Sequence, residues 1–268
     1  MEKILKNFMV NMTVKDMQEA LKKTKTVIIP VGVVEQHGYH LPLSTDIHNC
    51  EKPLEYAGER LNAVVAPTVN YCFSGGTLLG TVNVSPQVFG LYMMDICCEF
   101  VRMGFKNIVI LSGHGGTENL AELKGALQSA MRRSADMQDV TISVMVCIEL
   151  SETWLSHFNM TPQHDFHAGL SETSAMLYWA PELVRMDELA YDEKGLLEGM
   201  RTDPDWYANI DKKVDSPYII PFVHQKPEVK VGVMGFPEEA SRDIGKTLCE
   251  EVAESVIKYV DMLNEKTK

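Results

Sequence analysis

The sequence predicts an α/β fold: a mostly parallel sheet with helices on both faces. Three observations predict it. Apolar runs such as "TVIIPVGVV" (26 to 34) are too continuous for strands with one wet face. Segments with helical periodicity alternate with those runs, as βαβ units require. Histidines and carboxylates gather where the runs end, the edge at which open parallel sheets place their ligands.

In chain order, "TVKDMQEALKK" is a helix with Thr13 as N-cap, and it leads into the strand 26 to 34. "NAVVAPTVN" (62 to 70) is a second strand. A helix over 85 to 104 follows, with Ser85 as cap, Pro86 at its first position and Gly104 as its stop. "KNIVILSG" (106 to 113) is a third strand, the run from Thr117 is helical, and "DVTISVMVCIEL" (139 to 150) is a fourth strand. "SETSAMLYWA" (171 to 180) is helical up to Pro181, and Pro237 opens the last helix. Residues 182 to 230 mix charges, prolines and aromatics without period. They form an insertion that serves as a lid, a subunit contact or a solvated excursion, not a second core. At 268 residues the chain is expected to be a single domain over 1–268.

The composition excludes several functions. With 37 acidic against 25 basic side chains and a net charge of −12, the surface repels phosphate backbones, and "RR" at 132 to 133 is an isolated basic pair, so no nucleic-acid partner is expected. No apolar run approaches the ~20 residues that span a bilayer, and the N-terminus lacks a leader pattern, so the expected location is cytoplasmic, away from membranes. Six cysteines without CxxC spacing read as buried free thiols. The sixteen methionines read as core filler.

"VGVVEQHGYHLPLSTD" (31 to 46) carries the chemistry. If strand geometry persists, Glu35 and His37, two apart, leave one face. Asp46 returns after a loop containing Pro42. His114 lies just past the third strand between glycines, and "HDFHAGLSETS" brings His167 and Glu172 to the same edge. A lone histidine at a strand end is usually structural. Carboxylates and imidazoles converging from three segments are not, because buried carboxylates without a metal or hydrogen-bonding partner carry a penalty of several kcal/mol. The mixture suits zinc, manganese or iron(II), and a carboxylate with two oxygens can bridge a metal pair. His40 and His48 are expected to support ligands or face solvent. His157 and His224 read as structural, and Trp154 and Trp206 as core or surface residues rather than pocket walls.

The strings "PVGVVEQHGYHLPLSTD", "SGHGGTEN", "HAGLSETSAML" and "VGVMGFPEEASRDIGK", spread from residue 30 to 246, resemble the creatininase (creatinine amidohydrolase) family. The resemblance implies a three-layer α/β/α sandwich, a metal-dependent hydrolase acting on non-peptide C–N bonds, and a homo-oligomer, commonly a hexamer. It matches Glu35, His37, Asp46 and His114 to the ligands of one or two divalent ions (Zn, Mn or Fe), with Asp46 as bridge; Glu172 is the choice for the remaining carboxylate ligand, and His167, which matches a histidine of the substrate-facing motif, is the expected catalytic proton shuttle. Departures matter. Two glycines follow His114 where creatininase has a Glu soon after the histidine, which leaves Glu118 as a reserve ligand. Gln163 and His164 stand where a Trp-Asp pair is usual, and "LLGT" (78 to 81) replaces a Phe-Pro-Gly-Thr run. These changes argue against creatinine as substrate and for a remodelled pocket wall. The expected reaction is attack of metal-bound hydroxide on the carbonyl of a small cyclic or linear amide. Two alternatives stay open: cleavage of a C–C bond in a cyclic keto-sugar or β-dicarbonyl (3-dehydro-inosose type), and a non-catalytic metal-binding assembly protein.

Overall fold

The structure, a computed structural model, describes residues 4–267. Helix α1 (Val14–Lys23) begins with a reciprocal cap between Thr13 and Asp16 and feeds β1 (Thr26–Val31). Then come α2 (Thr45–Ala57), β2 (Val64–Val65), α3 (Pro86–Met103), β3 (Asn107–Ser112), α4 (Thr117–Arg133) and β4 (Thr141–Val146). The second half holds α5 (Glu152–Phe158), α6 (Leu170–Trp179), α7 (Lys194–Thr202), the strands β5 (Ala208–Asp211) and β6 (Phe222–Gln225), and α8 (Arg242–Lys266).

The first four strands form one parallel sheet in the order β2-β1-β3-β4. Every residue of β1 and β3 is buried, and alternation of side chains divides them between two cores. Val27, Ile29, Val31, Ile108 and Ile110 meet α1, α3 and α4 on one face. Ile28, Val109 and Leu111 meet α2 and α8 on the other, where Trp154 is also buried. Each fully buried aliphatic side chain contributes ~1.5–3 kcal/mol of burial free energy. The result is the expected three-layer sandwich, with α6 packed against α8.

Several boundaries differ from the sequence expectation for identifiable reasons. β1 stops at Val31 because Gly32 turns under α2: a Cβ on Gly32 would stand 2.8 Å from the Ile47 backbone. β2 keeps two residues of the expected nine, since Pro67 has no N–H to continue the ladder, and pairing resumes only at a Val31–Val69 bridge. β4 ends at Val146, and Cys147–Leu150 coil into a 3-10 turn. Pro237 opens a separate 3-10 turn, while α8 starts at Arg242 behind Ser241, whose hydroxyl accepts from the Ile244 N–H. The sequence treats residues 38 to 46 as loop and overlooks α2, whose helical signal is masked by the internal Pro53. The 182 to 230 segment is more ordered than its composition implies: it folds α7 and the antiparallel β5–β6 pair. No described helix is long and apolar enough to cross a membrane.

Candidate metal centre

Because β1 and β3 are neighbours in register, with Val31 opposite Ser112, the loops that follow them leave the sheet side by side. The N-terminus of α2 fits between those loops. A Cβ on Gly113 would lie 2.0 Å from the Asp46 carbonyl oxygen, so only glycine lets this backbone approach so closely. Asp46 therefore stands in the first turn of α2, where the helix dipole favours its negative charge. On the far side of His114, a Cβ on Gly116 would meet its Nε2 at 2.4 Å, so the paired glycines after the histidine make room for the ring.

The fourth wall is α6. Asp165 accepts from the N–H groups of Leu170 and Ser171 at 2.7 and 2.9 Å, and from that of Phe236 at 3.1 Å. It thereby caps α6 and ties it to the loop before α8. Glu172 sits in the first turn of that helix, and its Oε2 accepts from the Ala168 N–H at 2.6 Å. Ala168 holds a left-handed backbone, φ 51°, costly for a non-glycine residue and found characteristically at functional sites.

These walls bring together all five residues that the sequence singles out as ligands. Nδ1 of His114 lies 3.1 Å from Asp46 Oδ2 and 3.3 Å from Glu35 Oε2. Nε2 of His37 lies 3.4 Å from Asp46 Oδ1 and 3.6 Å from Glu172 Oε2. Asp46 is thus shared, one oxygen for each group of three. In each group, and in a third made of Glu35, His37 and His167, the ligand-type atoms lie within 4.8 Å of one another. Glu35 and His37 converge although the strand has ended, so the turn and not the pleat aims them. Glu118 is exposed at the start of α4 and belongs to none of the three groups.

Electrostatics and hydrogen bonding fit a cation between these groups. Burial alone would raise the Asp46 carboxyl, but the charge of His37 and a hydrogen bond from His114 outweigh it and hold it far below the carboxylate range. Burial is likewise outweighed at Glu35, where His167 and His114 lower the carboxyl. For His37, burial opposes the charged ring, yet Glu172 and Asp46 raise its pKa well above the ordinary value. Glu35 does the same for His114. Despite these neighbours, the buried Nε2 of His37 and Oε2 of Glu35 have no hydrogen-bond partner. Buried polar atoms are rarely left unpaired, and lone pairs converging on one space match a divalent cation's needs. His37 Nδ1–H donates to the Glu35 carbonyl at 3.1 Å, which fixes the tautomer and leaves Nε2 free to ligate.

His167 stands over His37 with ring centres 4.2 Å apart, and its Nε2 is 2.8 Å from the Gln36 carbonyl. The Gln36 side-chain amide nitrogen lies 3.1 Å from the same Nε2, but the shorter contact to the carbonyl requires a protonated Nε2, and with that tautomer Nδ1 is the basic nitrogen of the neutral ring. His40 is buried, with Nε2 3.0 Å from Thr173 Oγ1 on α6; burial and the charges of His37 and His167 push its pKa down to about 4, which keeps it neutral. His48 lies in α2, and His157 contacts Ser171 Oγ at 2.9 Å. The sequence reading missed Asp165, and also Ser74, whose hydroxyl donates to Glu35 Oε1 at 2.5 Å. An aspartate between two histidines in "HDFH" is a visible signal for the first; nothing local marks the second.

A family model described as creatininase, creatinine amidohydrolase, matches residues 10–260. The chain belongs to the creatininase family. The family model is described as an amidohydrolase, and curated relatives are named as a peptidase, an amidohydrolase and a hydrolase. The chain is 33% identical over 174 residues to the mycofactocin precursor peptide peptidase of Mycolicibacterium smegmatis, a match covering 61% of the chain and 61% of that relative. With the creatinine amidohydrolase of Pseudomonas putida the identity is 27%, over 61% of the chain and 67% of the relative. With the 3-dehydro-scyllo-inosose hydrolase of Thermotoga maritima it is 31%, over 39% and 34%. The chain therefore spans less than two thirds of the length of the first and third of these. Among solved structures, a manganese creatininase superposes with a TM-score of 0.74 at 21% identity, covering 98% of the chain and 99% of that chain. A mutant creatininase of Zn–Zn type gives 0.74 at 21%, covering 96% and 98%.

Proposed function

We propose that this protein hydrolyses a C–N bond of a small amide at a pair of divalent ions held by Glu35, His37, Asp46, His114 and Glu172. The observation that carries this reading is Asp46, buried between two ligand groups with one oxygen turned to each. Zinc and manganese are preferred over iron, since the solved relatives bear the names of those two metals. Bound there, the pair would supply Lewis acidity, acidifying water towards neutral pH and polarising a carbonyl oxygen.

The residues do the rest. Three carboxylates and two neutral imidazoles leave two divalent charges incompletely neutralised, so the centre stays electrophilic. Gln36 orients His167 through Nε2, and Nδ1 takes a proton and returns it to the departing nitrogen, which leaves poorly as an anion. A His167→Ala variant should keep its metal and lose about a hundredfold in kcat, the lower end of what a general acid-base contributes. Full turnover in that variant, measured beside its metal content, would remove the shuttle.

Amide hydrolysis is the chemistry common to the names of the first two relatives, a peptide peptidase and a creatinine amidohydrolase. A second reading, C–C cleavage in a cyclic ketone, draws on the stretch resembling an inosose hydrolase. A screen of lactams, short peptides and cyclic ketones, each with and without chelator, decides between them. Activity indifferent to chelator, or metal content unchanged in His37→Ala, would defeat the reading altogether.

A hexamer remains part of this proposal. The tip between β5 and β6 displays Tyr218 at 92% and Ile220 at 91% exposure, an apolar surface that self-association would cover. Light scattering should give six times the chain mass, and Ile220→Glu should lower it without lowering the melting temperature of the subunit. An assembly unchanged by that variant would place the contact elsewhere.

A further inference from the structure

The segment 182 to 230 touches the loop that begins at Ser74, beside the metal centre. Ser74, whose hydroxyl holds Glu35 Oε1, begins the run Ser74-Gly75-Gly76-Thr77. From inside, Asn83 Oδ1 accepts from the N–H groups of Ser74 and Gly75 at 2.9 and 3.2 Å, and Asn83 Nδ2 donates to the Gly76 carbonyl at 2.7 Å. From outside, Gln225 at the end of β6 offers Oε1 to both the backbone N–H and the hydroxyl of Thr77, at 2.8 and 3.1 Å. Tyr207, just before β5, places its hydroxyl 3.0 Å from where a Gly75 Cβ would stand, and Gly75 has φ 97°. The Lys226 N–H donates to the Tyr207 carbonyl at 2.8 Å and closes the base of the hairpin. Glu35 is thus held by a loop gripped between Asn83 and a hairpin nearly 150 residues downstream.

We propose that Gln225 is a positioning residue for Glu35: by fixing Thr77 it fixes Ser74, and Ser74 fixes the carboxylate that completes the group with His114. This rests on the metal-centre reading above. Two facts carry it beyond simple packing. One amide oxygen accepts both Thr77 bonds, so one side chain fixes the outer end of the loop while Asn83 holds its inner side. The loop's two glycines are conformationally permissive, and its one internal side-chain bond, from the Gly76 N–H to Ser74 Oγ, is 3.3 Å long, so its geometry leans on outside partners. The outer partners of a ligand typically change metal affinity 10- to 100-fold when removed.

The test is zinc titration of chelator-stripped protein by competition with an indicator, without any substrate. Gln225→Ala should weaken one of two binding events about tenfold and spare the other, the size expected for a ligand's hydrogen-bonding support. Gln225→Glu keeps an acceptor oxygen and should restore wild-type affinity. Glu35→Gln should weaken the same event, and adding Gln225→Ala to it should cost nothing more, because the two act in series. Wild-type titration in Gln225→Ala, equal weakening of both events, failure of Gln225→Glu to rescue, or full additivity with Glu35→Gln would each overturn the role. If wild-type protein takes up no zinc, the metal centre itself fails; if it loads normally and Gln225→Ala does too, only Gln225 is misassigned.

Discussion

Asp46→Asn is expected to strip both ions from the centre and to drop turnover by roughly three orders of magnitude, the ~4 kcal/mol upper range for removing one electrostatic stabiliser of a transition state. Asparagine has nearly the same shape, so the α2 turn and its contact with Gly113 survive, while one acceptor oxygen and the negative charge are lost. Each ligand group then lacks the carboxylate it shares. Removal of His37 leaves the group of Glu35, Asp46 and His114 intact, removal of His114 leaves that of His37, Asp46 and Glu172, and each should keep residual binding there. The comparison is direct: metal content by atomic emission, with melting curves to show that the chain still folds. Retention of two ions per chain in Asp46→Asn would refute the bridging role.

Metal affinity is also expected to climb steeply between pH 6 and 8. In the metal-free protein, burial opposes the charge on His37 and His114, but Glu172 and Asp46 for the first and Glu35 for the second raise both pKa values well above 6.5. Zinc must displace those protons, and each displaced proton is worth up to about tenfold in affinity per pH unit. Two histidines make that up to about a hundredfold per unit until their folded pKa values are passed.

The metal-free protein should show the opposite slope. Groups with raised pKa lend stability that is complete below the unfolded value of 6.5 and is lost as pH rises through the folded value. Glu35 and Asp46, depressed from 4.5 and 3.8, lend stability that is present above those values and lost as pH falls through the folded ones. Chelated protein should therefore melt at its highest temperature near pH 5 to 6 and lower by pH 8, while zinc-loaded protein should gain over the same interval. An affinity flat from pH 6 to 8 would mean that the two imidazoles are already neutral.

Much of this was legible in the residues. Continuous apolar runs read as buried parallel strands because two helical layers cover both faces, and β1 and β3 bear that out residue by residue. The candidate ligands were visible because histidines and carboxylates seldom share strand ends without cause, and the geometry gathers all five in one place. What escaped notice depends on distance in sequence or on masked signals. Helix α2 was hidden by Pro53 and by the polar residues it buries at its N-terminus. Asp165 speaks through backbone amides that no periodicity reveals. Ser74 and Gln225 matter only through partners 39 and 148 residues away. Glu118 was a reasonable reserve by spacing, but the turn of α4 directs it to the surface.

The pairing of Val31 with Ser112 turns the hydrophobic interior into a ruler for the chemistry above it. A slip of one residue between the two central strands would lift one loop past the other by about 3.3 Å and swap every inward side chain to the opposite layer. The valines and isoleucines of the sheet, far from any reacting atom, thereby calibrate the spacing of the carboxylates. A repacked interior that preserved volume but changed this alignment would yield a folded protein with its reactive groups out of step.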